Sequence, residues 1–260
     1  MLGWSINLFR IFGIQLAVHA TFFLLLAYAA YEGWLSGGLP GLVWRVLLTV
    51  SLFICVVLHE LGHSLTAKRY GVHVPRILLL PIGGMAEMDH IPRRPSAEFL
   101  ITIAGPSVNF AIVALLLPFT WRYVLGVEEM VEFSGIELLT YLFLLNLYMG
   151  IFNLLPVYPM DGGRILRSIL ALWLPYLQAT WWAVMTTRVL APILALIGVL
   201  FLDSWMMGVL FVFIMMTGNA EYRQLRRREE EAAYWADMAR RVVVPSAGPG
   251  ESPLLPHGPN

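Results

Sequence analysis

Six stretches of the chain stay apolar for about the length that carries a helix across a bilayer, roughly 20 residues. They fall at about 12–31, 42–69, 96–120, 136–155, 179–201 and 204–222, the last two parted only by Leu202, Asp203 and Ser204. Between the second and third lies a different pattern, "VHVPRILLLPIGGMAEMD" at 72–89, cut by Pro75, Pro81, Gly83 and Gly84. It is too short and too interrupted to span. Residues 77–80 and 84–88 predict two short strands around a turn. Their apolarity predicts a hairpin lying in or against the membrane. After the sixth stretch, residues 221–244 read as a charged helix with "RRREEE" near its start, and 245–260 are rich in proline and glycine. Such a tail predicts disorder.

The expected architecture is therefore an all-α polytopic membrane protein of about six transmembrane helices. A small membrane-associated β-hairpin or sheet sits between helices 2 and 3. The expected layout is a transmembrane domain over 1–222, a charged cytoplasmic helix over 223–244 and a disordered tail over 245–260. Composition agrees: 58% of residues are hydrophobic, 13% are charged and the mean hydropathy is +0.72. Soluble domains carry about twice that charge. Net charge is zero, so nothing points to nucleic acid as a partner. The one cysteine, Cys55, excludes an intramolecular disulfide and a cysteine-based metal site.

Basic residues predict the orientation. Lys68, Arg69, Arg76, Arg93 and Arg94 fall between helices 2 and 3, Arg164 and Arg167 between 4 and 5, and Arg223, Arg226, Arg227 and Arg228 after helix 6. The positive-inside rule then places both termini and these connections in the cytoplasm.

Chemistry concentrates in "LHELGH" of the second helix. His59 and His63 stand four apart, on one helical face, so both imidazoles can meet one metal ion. Glu60, beside the first of them, can act as general base. Zinc suits two neutral imidazoles and a carboxylate with a position left for water. Three ionisable groups in one turn of a membrane helix default to function. A third ligand must come from elsewhere. Asp161, in "NLLPVYPMDGGRIL", is the foremost candidate, because Pro156 and Pro159 let the chain leave helix 4 and turn back. The other reading of Asp161 is the N-cap of the helix that follows. Depth is compatible with a shared site. His59 lies nine residues before Lys68, roughly 14 Å along a helix, so the site is nearer the cytoplasmic side.

His59-Glu60-Leu61-Gly62-His63 together with Asn153-Leu154-Leu155-Pro156-Val157-Tyr158-Pro159-Met160-Asp161-Gly162 resembles the site-2 protease family of intramembrane zinc metalloproteases. "AGPSVN" at 104–109 is similar to that family's third-helix motif, and "LLLPIGGMAEM" to its membrane-associated sheet. The resemblance implies that His59, His63 and Asp161 bind one zinc ion per chain and that Glu60 is catalytic. It implies supporting roles for Asn153 and Asn109, and a site-proximal His19. His73 and His90 read as solvated loop residues. No PDZ-like insertion interrupts the chain, and the compact layout resembles the sporulation-factor-processing and archaeal branch. Many of that branch end in a cystathionine-β-synthase-type module; only the charged helix and loose tail are expected here, so nucleotide sensing in cis is not expected.

The reaction so implied is hydrolysis of peptide bonds within or near transmembrane segments of a membrane-protein substrate. A helical substrate must unwind, and an extended segment can add to an open strand edge. Ile82, Gly83, Gly84 and Met85 are the expected substrate-binding residues. Two other readings are a catalytically silent helix-binding relative and a metal transporter.

Overall fold

The computed structural model describes residues 4–81, 83–89, 92–201 and 203–241. The elements run β1 (Ser5–Ile11), β2 (Ile14–His19), α1 (Thr21–Arg69), β3 (Arg76–Leu80), β4 (Gly83–Glu87), α2 (Pro95–Val124), α3 (Gly135–Asn153), α4 (Asp161–Leu170), α5 (Tyr176–Phe201) and α6 (Trp205–Arg241).

At 49 residues, α1 would be about 74 Å long if straight. It is not straight. Gly37 and Gly38 leave helical geometry, Gly38 with φ of 59°, and Pro40 follows. A left-handed φ is cheap only for glycine. The chain doubles back there: a Cβ on Gly33 would lie 2.4 Å from the carbonyl oxygen of Gly41. Further down the same hairpin, the Phe22 and Phe53 rings pack edge to face at 4.5 Å. The two arms of α1 carry the apolar stretches expected as helices 1 and 2.

Four helices, α1, α2, α3 and α5, are long and apolar enough to cross a membrane. Their outer faces carry exposed Leu24, Leu115, Leu196 and Leu200. So much outward apolar surface marks a face that meets lipid. The protein is an integral membrane protein, mainly helical.

Two expectations need correction. The first apolar stretch does not begin as helix: Ile14–His19 is a strand, and helix starts at Thr21. The small sheet is also not confined to the segment between the second and third helices, because two of its strands come from the N-terminal side of α1. The sheet has four strands in the order β1-β2-β3-β4. β1 and β2 pair antiparallel, β2 and β3 parallel, and β3 and β4 antiparallel. β2 lies inside this sheet with Ile14, Leu16, Ala17 and Val18 all buried. A strand buried on both faces shows no polar alternation, so a short apolar run hides it from a periodicity reading. One face of the sheet packs on the second arm of α1, where Ile14, Leu16, Ile77 and Leu79 meet Phe53, Val57 and Leu61. That packing sets β4 beside the turn of α1 that carries His59, Glu60 and His63. The charged helix expected after 222 is continuous with the sixth apolar stretch, in α6. The expected tail at 245–260 lies outside the described residues.

Candidate metal centre and active site

His59 and His63 are buried on the inner face of α1. Their backbone is an ordinary helix, so the four-residue spacing alone brings the rings together edge to face, with centroids 4.7 Å apart. Asp161 arrives from α4. Its helix is capped by Met160 without a side-chain bond, so the N-cap reading of Asp161 fails. As the first helical residue it is free to aim elsewhere. Its Oδ2 lies 3.2 Å from Nε2 of His59 and 3.3 Å from Nε2 of His63. The two Nε2 atoms are 3.1 Å apart.

The protons on the two rings can be assigned from their other nitrogens. Nδ1 of His63 lies 2.8 Å from the carbonyl oxygen of Ile101, which can only accept. His63 therefore carries its proton on Nδ1. For His59 the relay runs through two asparagines. Asn146 donates Nδ2–H to the Leu142 carbonyl at 2.8 Å, which turns its Oδ1 toward Asn109. Asn109 donates to that oxygen at 2.9 Å. Its own Oδ1 then faces Nδ1 of His59 at 2.6 Å and accepts its proton. In the neutral form of each ring, Nε2 is then a lone pair turned toward the other. With the Asp161 oxygen, to which no hydrogen bond is donated among the described residues, three lone pairs converge on one point. Such a cluster is repulsive unless a cation occupies its centre. Two neutral imidazoles with oriented second nitrogens and one carboxylate are a donor set that suits zinc.

The surroundings keep space for it. A Cβ on Gly105 of α2 would lie 2.2 Å from Nε2 of His63, so only glycine fits there. The connection carrying Asp161 is pinned at Tyr158, which is fully buried. Its N–H donates to Oγ1 of Thr187 at 2.6 Å, and Nη1 of Arg167 donates to its hydroxyl at 2.6 Å. Burial pushes its phenol above the ordinary tyrosine range, so it stays protonated and donates to Glu221.

Glu60 points to the open side, where the N–H of Ala86 in β4 donates to its Oε2 at 3.2 Å. β4 is the edge strand, and Ala86 uses none of its N–H in the ladder to β3. A Cβ on Gly84 would lie 2.7 Å from Cγ of Glu60, so β4 runs tight against the site. A cavity of about 490 Å³ joins these groups, with Glu60, Gly84, Met85, Ala86, Asn153 and Asp161 in its walls.

The structure thus brings His59, Glu60, His63 and Asp161 together, with Asn109 behind His59 and Asn153 in the cavity wall. Met85 and Gly84 line the cavity. Gly83 opens β4 without lining it, and Ile82 lies outside the described residues. His19 ends β2, pairs with Oγ1 of Thr21 at 2.8 Å and does not line the cavity. His73 is exposed beside Asp89, and His90 lies outside the described residues. Sequence reasoning missed Asn146, Tyr158 and Arg167. Asn146 carried one signal, a lone amide inside an apolar helix.

A water-dependent metal centre held among apolar helices defines the class of intramembrane metalloproteases. Residues 47–125 and 122–194 match peptidase family M50. A zinc metalloprotease of Methanocaldococcus jannaschii is 44% identical over 246 residues, covering 94% of this chain and 68% of the relative. Stage IV sporulation protein FB of Bacillus subtilis is 31% identical over 197 residues, covering 74% of this chain and 64% of the relative. The solved site-2 protease from Methanocaldococcus jannaschii is similar in fold, with a TM-score of 0.59 at 40% identity, over 84% of this chain and 95% of that one. The chain belongs to peptidase family M50, and it is an intramembrane zinc metalloprotease.

Proposed function

We propose that His59, His63 and Asp161 hold one zinc ion per chain, and that Glu60 is the general base in hydrolysis of peptide bonds within or near transmembrane segments. The convergence of three ligand atoms, from His59, His63 and Asp161, carries this reading. Zinc, when bound there, lowers the pKa of water toward neutrality and polarises the scissile carbonyl. Glu60 takes the proton of the attacking water and passes it to the leaving amine. Asn109 fixes the His59 tautomer, and Asn153 supports the cavity wall.

The substrate is a membrane protein whose helix unwinds locally. Its extended segment adds to the outer edge of β4, along Gly83, Gly84 and Met85, with Ile82 the fourth residue expected to bind it. The N–H of Ala86 that now holds Glu60 is on that edge. A substrate strand claims this N–H, and Glu60 is released toward the reacting water as it does so.

Six crossings complete the topology: two arms of α1, then α2, α3, α5 and the apolar half of α6. The basic connections put both termini in the cytoplasm and the site nearer that side. Residues 1–222 form the membrane protease, and the segment after 222, helical through Arg241, is a cytoplasmic extension.

The test is a zinc count on protein purified in detergent, paired with cleavage of a membrane substrate. Glu60→Gln retains one zinc and loses at least about a hundredfold in cleavage, while still trapping substrate. Asp161→Ala loses the metal. Zinc retained in Asp161→Ala would overturn the ligand assignment.

A further inference from the structure

Arg188 stands about halfway along α5 and does not line the cavity around His59, Glu60 and His63. Toward the α5–α6 connection it is followed by thirteen uncharged residues, Val189 to Phe201, roughly 20 Å of helix. In the other direction Trp182 and Trp181 come six and seven residues away, roughly 10 Å. Tryptophans seat at the membrane–water interface, so the Arg188 backbone lies inside the apolar layer.

Its charge has no acid. Oδ1 of Asn219 on α6 accepts from Nε at 2.9 Å and Nη2 at 2.6 Å. Nη1 lies only near the Met185 sulfur, at 3.9 Å. Among the described residues, no carboxylate comes within 4.0 Å of Arg188 or of Arg223. Arg223 is one turn past Asn219. The two helices are antiparallel, since Gly198 abuts Met207 while Arg188 bonds Asn219. Side chains lean toward the N-terminus of their own helix, so Arg188 and Arg223 lean toward each other. Both line a groove of about 900 Å³ with Thr217, Asn219, Phe213 and Met216.

We propose that this groove binds the phosphate of an anionic membrane phospholipid. The two guanidinium groups clamp the phosphate, whose oxygens match their forked geometry. The acyl chains lie along Phe213 and Met216. A bilayer phosphate drawn slightly inward satisfies a cation that would otherwise be costly at this depth. The apolar floor and the position below the tryptophans favour a lipid over a free anion.

The experiment is native mass spectrometry of the full-length, zinc-loaded protein, delipidated in detergent and titrated with phosphatidylglycerol or phosphatidylcholine. The wild type retains one phosphatidylglycerol in preference to phosphatidylcholine. Arg188→Gln and Arg223→Gln each weaken that binding about tenfold, and Arg188→Lys weakens it less. Arg226→Gln, an equal loss of charge beside Glu230, leaves it unchanged. A zinc content of one per chain shows that each variant is folded. Equal retention of phosphatidylglycerol by wild type and the double Gln variant overturns the proposal. So does equal retention of the two lipids, or protection against heating by millimolar inorganic phosphate with no lipid retained.

Discussion

The tautomer of His59 is decided at the carbonyl of Leu142, through two asparagines on two other helices. Removing the far member of that relay should therefore be felt at the metal. In Asn146→Ala the Asn109 amide loses its fixed orientation, and zinc affinity falls about 10- to 100-fold. Competition with a chelator measures it. His63 should hold, because a backbone carbonyl orients it, so binding weakens without vanishing. Gly105→Ala is harsher: its Cβ intrudes on the ligand nitrogen of His63, and zinc is lost. Spacing alone made His59, Glu60 and His63 legible, and the proline-broken run before Asp161 pointed to the third ligand. Asn146 was not legible. An asparagine in an apolar helix advertises a partner without naming it, and which face of α3 meets α2 is settled only by packing.

Strands β3 and β4 were readable from their turn residues and came out within a residue or so of expectation. β1 and β2 were not, because β2 runs straight into a helix with no glycine or proline between them. The missed pair matters to the site, since β2 anchors β3 and so holds β4 against Glu60. The edge itself can be tested with one atom. Proline removes an N–H and is tolerated where an edge strand faces outward. In Ala86→Pro the zinc content should stay at one per chain while cleavage of a membrane substrate falls, with a rise in KM. The same substitution removes the backbone donor that Ala86 gives to Glu60. Unchanged KM would show that substrate does not use this edge.

Helices from both halves of the molecule meet at a single guanidinium. Arg167 of α4 donates from Nε to Glu98 of α2 at 2.8 Å and also contacts it through Nη2. Its charge sits over the rings of Tyr158 and Tyr176, at 4.9 and 5.0 Å. Tyr158 passes the connection on to Glu221 of α6. Glu98 and Arg167 are both buried, at 0% and 3% exposure. A buried pair of this kind contributes little net stability, but breaking it strands a charge and costs about 3–5 kcal/mol. Arg167→Met should thus unfold at a clearly lower temperature in detergent. Glu98→Met/Arg167→Met should recover much of the loss, because no lone charge remains. Tyr158 is three residues from Asp161, so the single variant should also release zinc faster on heating. Tryptophan fluorescence can follow unfolding and a chromogenic chelator the metal in the same scan. If the double variant is as unstable as Arg167→Met, the weight falls on the stacking of Arg167 over the two tyrosines rather than on its ion pair.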